Sequence, residues 1–310
     1  MASERIGPHD PFMIEVANPM PLNQATHRPV ATVLIGLLIW AGSTLPGLAD
    51  EALERLFGMG PIQTFTLQST TLGRDFHIYV RLPQRYDSVD CQWPVAYLLD
   101  GGILFPMLAP YQFMMEIDEL AAPVVMVGIS YGGLGSANGN FRATDFTAPA
   151  AERERFGGGA AFQDFLADEL IPRIEADFRV DQSNSLVMGQ SLGGQFTLLT
   201  ALTRPALFGY YLSINPAIHS NTDYFLQLDV PMRAQPTPLM VTRSTAEWPA
   251  LTGAFQRWLN HWQDSERDDL ALETRWLADQ HHASSAPSAY RAAIGWWSPP
   301  ACAAALPDPS

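Results

Sequence analysis

The residues best suited to chemistry lie at positions 189–193, which read Gly-Gln-Ser-Leu-Gly and place Ser191 between two glycines. This Gly-x-Ser-x-Gly pattern is typical of a tight strand-to-helix turn that exposes the serine hydroxyl as a nucleophile. A short apolar run, Ser185 to Met188, precedes the motif, and an apolar segment with helical spacing follows it as far as Pro205. The context therefore favours a nucleophilic serine, and an ordinary glycine-rich turn is the alternative.

Attack by a serine on an acyl group also requires a base and hydrogen-bond donors for the oxyanion. The backbone N–H of Leu192, directly after the serine, is predicted to be one of these donors. The remaining groups must come from elsewhere in the chain, so their positions depend on the fold.

The elements that would position these groups alternate between strands and helices. This order predicts an α/β fold with a mostly parallel, doubly wound sheet flanked by helices. Alternating apolar residues within 62–83 indicate a half-buried hairpin at a sheet edge, and the apolar runs 95–100 and 124–130 indicate fully buried strands. Further strands are predicted at Ser185 to Met188, Tyr210 to Ile214, Leu239 to Thr242 and Leu270 to Trp276, and helices at 160–178, with a kink at Pro172, and at Trp248 to Asp264.

The composition limits the classes of partner. The chain has 310 residues, 47% of them hydrophobic, which is enough for a full catalytic domain. Its formal net charge of −14 repels phosphate backbones, so no nucleic acid partner is expected. The two cysteines, Cys91 and Cys302, form no C-x-x-C or His/Cys cluster, and we expect no metal and no cofactor. Whether they form a disulfide stays open.

The first 49 residues differ from the rest of the chain. An apolar run at 30–40 follows Arg28, and the small residues Gly47 and Ala49 precede Asp50, which resembles a secretory signal peptide and its cleavage site. We therefore predict an N-terminal extension at 1–49 that is a signal peptide or an anchor, a catalytic domain at 50–300 and a tail at 301–310. The expected location is secreted or periplasmic; a cytoplasmic or membrane-anchored protein is the alternative, with membrane contact only if the apolar run is retained.

Several motifs together resemble one family. The segments "PVAYLLDGG", "RATDFTAP", "GQSLGGQFTLLTALTRPALFGYYLSINP" and "HHASSAP" have the order and spacing of esterase D-like α/β-hydrolases, a group that includes siderophore esterases of the enterobactin type. The resemblance covers roughly residues 62–297. Two segments depart from it: "INPAIHS" replaces the usual Ser-Pro-Ser-x-Trp, and "VTRSTAEW" replaces a glycine-rich stretch before the acid. The resemblance therefore implies an α/β-hydrolase fold and esterase activity without implying a particular ester.

The resemblance also implies a chain order of serine, acid and then histidine. Of the histidines that follow Ser191, His219 comes too early and His261 lies within a predicted helix, which leaves His281 and His282. The family's His-x-Ser pattern, with a proline three residues later, implies that His282 is the base. Glu247 is the only carboxylate in the loop where the acid is expected; Asp279, or a Ser-His dyad without an acid, is the alternative.

Other parts of the pocket are predicted partly from the resemblance and partly from the residues themselves. The resemblance assigns the second oxyanion donor to the N–H of Gly102, although Gly101 and Gly102 could simply form a turn. Tyr131, with Phe141 and Phe146, suggests an aromatic wall for an apolar or aromatic acyl group, or else ordinary core packing. Arg142 and Asp145 are predicted to form an ion pair at the pocket rim, with a structural role favoured over substrate contact.

These observations predict a serine carboxylic ester hydrolase that acts on a small-molecule ester through an acyl-enzyme. An acyltransferase or a thioesterase on the same fold is the nearest alternative, because the same acyl-enzyme can react with other acceptors or form from a thioester. A binding protein that kept the fold without activity is a more distant one.

Overall fold

Eight strands form one central sheet in the part of the chain that the computed structural model describes, which is residues 57–297 except 134, 231 and 266. These residues belong to a compact unit that begins at Leu53. The predicted signal peptide or anchor and the tail at 301–310 lie outside the described residues. The strands are β1 (Ile62–Ser69), β2 (Arg74–Arg81), β3 (Trp93–Leu98), β4 (Val125–Ser130), β5 (Val180–Gln190), β6 (Tyr210–Ile214), β7 (Thr237–Ala246) and β8 (Leu270–His281).

The helices connect these strands and cover both faces of the sheet. They are α1 (Gly101–Ile117), α2 (Arg142–Asp145), α3 (Gly159–Phe165), α4 (Ile171–Asp177), α5 (Leu192–Thr203), α6 (Thr222–Gln227), α7 (Pro249–Asp264) and α8 (Ala286–Trp297). None of the helices between residues 57 and 297 is both long and apolar enough to span a bilayer.

The strand order is β1-β2-β4-β3-β5-β6-β7-β8. The first two strands pair antiparallel, β2 pairs antiparallel with β4, and all pairs from β4 to β8 are parallel. The predicted doubly wound, mostly parallel sheet with a hairpin at one edge is therefore confirmed. Because the last six strands in this order are parallel, the loops that follow their carboxyl ends lie along one edge, where ligands bind in such sheets.

Two apolar clusters occupy the two faces of the sheet. On β3, Val95 and Tyr97 belong to one cluster, whereas Ala96 and Leu98 belong to the other, as the two-residue period of a strand requires. The first cluster includes residues of α3, α5 and α7, and the second includes residues of α1 and α8. The sheet is thus a rigid support for the loops at its edge.

Three details differ from the sequence predictions. The strands β5, β7 and β8 are longer than predicted, because they continue into polar segments that have no apolar pattern and that pair across register shifts in the β3–β5 and β7–β8 ladders. A π-helical turn, Leu166–Leu170, joins α3 to α4 just before Pro172, which has no backbone N–H to donate. Arg81, a charged residue in the hairpin predicted to be half-buried, is fully buried and donates two hydrogen bonds, of 2.9 and 3.1 Å, to Glu116 on α1.

Candidate active site

Ser191 lies in a strained turn between β5 and α5. Its φ of 61° and ψ of −115° are rare for a residue with a side chain, and such a conformation costs about 1–3 kcal/mol. A Cβ at Gly189 would lie 2.4 Å from the backbone of Gly193, so the turn needs glycine there. The backbone N–H of Ser191 donates to the oxygen of Ile214 at 2.9 Å, while its Oγ has no hydrogen-bond partner among the described residues. The predicted strand, turn and helix around the serine are therefore present.

His282 and Glu247 lie within hydrogen-bond distance of each other. Glu247 follows the last residue of β7, His282 follows the last residue of β8, and the Nδ1 of His282 lies 2.7 Å from the Oε2 of Glu247. The Glu247 side chain is fully buried and that of His282 is 5% exposed. Glu247 is therefore not a solvated surface residue, whereas the alternative acid, Asp279, is exposed, as is His281.

Trp248 contacts both members of this pair. Its backbone N–H donates to the Oε1 of Glu247 at 2.8 Å, which orients the carboxylate. Its ring lies against the imidazole of His282, with ring centroids 4.7 Å apart, and is 41% exposed. The tryptophan therefore covers one side of the histidine next to the solvent.

Asn215 connects the loops that carry His282 and Glu247, and sequence reasoning missed it. Its fully buried Nδ2 lies 2.8 Å from the Oγ of Ser285, 2.9 Å from the Oγ of Ser244 and 3.2 Å from the oxygen of His282, and its Oδ1 accepts from the N–H of Ser244 at 2.8 Å. Its φ is 44°, a left-handed conformation that asparagine tolerates. An asparagine directly after a buried strand was the available signal.

Gln190 links the serine to the same group of loops. As the residue before Ser191, it donates from Nε2 to the backbone oxygen of His282 and, at 3.3 Å, to the Oγ of Ser285. The three predicted residues Ser191, Glu247 and His282 are thus placed along one edge of the sheet by direct contacts between their neighbours.

The two predicted oxyanion donors are both at helix starts. Leu192 is the first residue of α5, and Gly102 is the second residue of α1. The first N–H groups of a helix have no acceptor within the helix and can bind an anion. Gly101 and Gly102 therefore belong to a helix start and not to an isolated turn, and α1 begins after Asp100, whose φ is 53°.

A cavity of about 280 Å³ lies beside Gly102. Tyr131 is among its lining residues, as predicted for a pocket wall, and burial raises the pKa of its phenol well above the ordinary value, with Asp145 adding to the shift. Phe146 is fully buried in the core and Phe141 is 42% exposed, so the predicted aromatic wall is wrong for Phe146. The lining residues are Tyr79, Asp100, Gly102, Ile103, Ser130, Tyr131, Gly132, Gly133 and Asn140.

The predicted ion pair between Arg142 and Asp145 is wrong. Arg142 makes two hydrogen bonds of 2.8 Å to the carboxylate of Asp100, which ties α2 to the start of α1. Asp145 instead pairs with Arg74 and accepts a 2.8 Å hydrogen bond from the hydroxyl of Tyr131. Burial raises the pKa of Asp145, and these two donors oppose the shift. Both residues therefore hold the pocket wall in place through partners distant in sequence.

No group of three or more potential metal-ligating side chains occurs within the part of the chain that the structure describes. The groups that this edge offers for chemistry are a serine, a histidine with a buried carboxylate and two backbone N–H groups. Such a set can form and hydrolyse an acyl-enzyme.

Comparisons with known proteins agree with this chemistry. A family model described as "Putative esterase" matches residues 69–289. The chain is 29% identical over 202 residues to the ferri-bacillibactin esterase BesA of Bacillus subtilis (strain 168), which covers 58% of this chain and 69% of that protein. It is 25% identical over 202 residues to the siderophore triacetylfusarinine C esterase of Aspergillus fumigatus, over 62% of this chain and 67% of that protein.

The fold also matches solved structures. The siderophore hydrolase EstB from Aspergillus nidulans superposes with a TM-score of 0.66 at 20% identity, over 76% of this chain and 94% of that chain. This likeness shows a common α/β-hydrolase fold.

Proposed function

Because the chain belongs to the esterase family of the α/β-hydrolase superfamily, whose model matches residues 69–289, we propose that it hydrolyses small siderophore-type esters with Ser191, His282 and Glu247 as its catalytic triad. The family-model match and the esterase relatives confirm the family and the ester hydrolase activity predicted from the sequence. The superposition on a solved structure confirms the predicted fold. The observation that supports the triad most strongly is the 2.7 Å contact between the buried His282 and Glu247, on the same sheet edge as the strained turn of Ser191.

In the proposed reaction, His282 accepts the proton of the Ser191 hydroxyl while the serine oxygen attacks the ester carbonyl. The N–H groups of Leu192 and Gly102 hold the negative charge that develops on the carbonyl oxygen. His282 then donates its proton to the departing alcohol, which leaves an acyl group on Ser191. Water, activated by the same histidine, attacks this acyl group and releases the acid, so that the enzyme returns to its initial protonation state.

Glu247 supports the histidine in this scheme. A carboxylate at Nδ1 fixes the imidazole tautomer and stabilises the imidazolium that forms when His282 accepts a proton. The buried side chain of Glu247 makes this interaction stronger than it would be in water. Trp248, the next residue in the chain, lies against the imidazole of His282 and limits rotation of that ring from the solvent side.

The substrate class rests on the relatives and on the shape of the pocket. Two of the relatives are named for siderophore esters, ferri-bacillibactin and triacetylfusarinine C. The cavity beside Gly102, about 280 Å³, is near the lower end of the roughly 300–1,000 Å³ of ordinary ligand pockets. It would therefore hold one arm of such a ligand and leave the rest in solvent. Its polar lining groups, Ser130, Tyr131 and Asn140, can hydrogen-bond to a polar acyl group.

The test is a substrate panel on the wild type and on Ser191→Ala. The panel contains p-nitrophenyl esters, a p-nitrophenyl thioester and iron-free and iron-loaded trilactone and hydroxamate siderophores, each run with and without an added alcohol. The proposal predicts hydrolysis of siderophore esters with a kcat/KM at least tenfold above that of simple aryl esters, and no turnover by Ser191→Ala.

The same panel separates the alternative reactions. A dominant ester product in the presence of the alcohol would identify an acyltransferase, and a marked preference for the thioester would identify a thioesterase. Equal activity on all p-nitrophenyl esters with none on siderophores would contradict the proposed substrate class while leaving the serine esterase in place.

We also propose that the protein is exported, as a secreted or periplasmic enzyme. The predicted signal sequence at 1–49 motivates this proposal. Cys91 is disulfide-bonded, and this bond supports export because disulfides persist mainly in oxidising compartments.

A further inference from the structure

Arg243 is a buried cation that the proposed reaction does not use. It lies on β7, four residues before Glu247, in the segment "VTRSTAEW" that departs from the family pattern. Its side chain is 1% exposed, and its Nη1 lies 4.0 Å from the Oε2 of Glu247. The pairing of β7 with β8 shifts register between Ser244 and Ala246, and such an irregularity redirects the side chains on either side of it.

The surroundings of Arg243 leave Glu247 as its counter-ion. The Nη2 donates to the Oγ1 of Thr252 at 3.4 Å, and the guanidinium lies over the ring of Phe255 at 5.1 Å, both of them uncharged residues on α7. The Nε and Nη1 atoms are buried and have no hydrogen-bond partner among the described residues. A buried cation is tolerated only when an anion compensates it, and the carboxylate of Glu247 is the one within ion-pair distance in the described part of the chain.

The geometry also shows how Arg243 and His282 can share one carboxylate. The Oε2 of Glu247 is 2.7 Å from the Nδ1 of His282 but 4.0 Å from the Nη1 of Arg243. The histidine therefore has the hydrogen bond, and the arginine contributes charge without competing for it. Burial lowers the pKa of Arg243 to about 10, with Glu247 opposing the shift, so the guanidinium remains protonated at neutral pH.

We propose that Arg243 is a positioning residue, whose charge compensates the buried carboxylate of Glu247 and keeps it directed at His282. The inference rests on the proposed catalytic roles of Glu247 and His282. Without the cation, a fully buried carboxylate would lack a compensating charge and would move away from its position beside His282. His282 would then lose the acceptor that stabilises its imidazolium.

A double-mutant cycle tests this mechanism. Arg243→Met and Arg243→Lys are each made in the wild type and in Glu247→Gln, and kcat and KM are measured on a soluble p-nitrophenyl ester, with active sites counted by a fluorophosphonate. In the wild-type background, Arg243→Met is expected to lower kcat by about 10–100-fold with KM changed less than about threefold, and Arg243→Lys to retain most of kcat because it keeps the charge. In the Glu247→Gln background, Arg243→Met is expected to change kcat by less than about threefold.

Arg81→Met is the matched control. Arg81 is also a fully buried arginine with a carboxylate partner, Glu116, but that pair joins β2 to α1. Its replacement is expected to lower the thermal midpoint while leaving kcat per titrated active site within about twofold of the wild type. Loss of a buried arginine in general would then be separated from loss of Arg243 in particular.

The remaining outcomes also decide the question. An equal loss from Arg243→Met in both backgrounds, or equal damage from Met and Lys, would overturn the positioning role. If the single variant Arg243→Met does not fold but the double variant with Glu247→Gln does, the charge pair is supported. If both the single and the double variant are unfolded, the inference is overturned. Full activity in Glu247→Gln alone would instead reject the proposed triad.

Discussion

Asn215 offers a quantitative test of how the site is held together. Replacing it with alanine removes the Oδ1 that accepts from the buried N–H of Ser244, and an unsatisfied buried donor costs about 1–3 kcal/mol. It also removes the donors to Ser285 and to the oxygen of His282, each worth about 1 kcal/mol. Alanine at a φ of 44° adds about 1 kcal/mol of backbone strain. We therefore expect Asn215→Ala to lower the free energy of unfolding by about 4–6 kcal/mol.

A glycine at the same position separates strain from hydrogen bonding. Asn215→Gly loses the same hydrogen bonds but adopts the left-handed conformation without strain, so it should be more stable than Asn215→Ala by roughly 0.5–1 kcal/mol. In the middle of a helix or strand, alanine is usually the more stabilising of the two residues, so the expected order here is the reverse. Both variants should also lower kcat at least about tenfold, because the loops of His282 and Glu247 lose their common support.

The assay is urea unfolding followed by tryptophan fluorescence, together with kcat on a p-nitrophenyl ester. For a domain of this size, a loss of about 4–6 kcal/mol corresponds to a fall in Tm of about 8–24 °C. A stability of Asn215→Ala within 0.5 kcal/mol of the wild type would refute the hydrogen-bond reasoning, and a glycine variant less stable than the alanine variant would refute the argument from strain.

Three further predictions concern other parts of the chain. His282→Ala should be nearly inactive in ester hydrolysis while the exposed His281→Ala keeps a substantial rate, and the opposite order would reject the assigned base. Burial raises the pKa of Tyr131 and Tyr290. The free energy of unfolding should therefore be retained below about pH 10, where the phenols of the unfolded chain are neutral, and should fall above it. Phenolate absorbance that rises well before unfolding would contradict this prediction. Terminal sequencing of the protein from its native host should find a start near Asp50, whereas an intact Met1 on a cytoplasmic protein would reject export.

The strands that position the site could be predicted because their patterns are local. The continuous apolar runs around β3 and β4 need both faces buried, and the Gly-x-Ser-x-Gly turn follows from the close approach of Gly189 to Gly193. The placement of Glu247 and His282 after neighbouring parallel strands follows from the same reasoning, since the carboxyl ends of such strands meet at one edge. Their catalytic roles stay predictions.

The partners of the charged side chains could not be predicted from the sequence. Arg142 and Asp145 are three residues apart and of opposite charge, yet Arg142 pairs with Asp100 and Asp145 with Arg74, because the fold brings those strands and helices together. The buried Arg243 was missed for a related reason: a charged residue at a strand end resembles a solvated one until the packing of α7 over it is known.

The most direct test of the account is the identity of the residue that becomes acylated. The protein is treated with a fluorophosphonate probe, digested and analysed by mass spectrometry, in parallel with Ser191→Ala and His282→Ala. We predict one label per chain on Ser191 in the wild type, none in Ser191→Ala and labelling slowed at least about a hundredfold in His282→Ala. Stoichiometric labelling of another residue, or ester hydrolysis at the wild-type rate by Ser191→Ala, would contradict the central claim that Ser191 is the nucleophile.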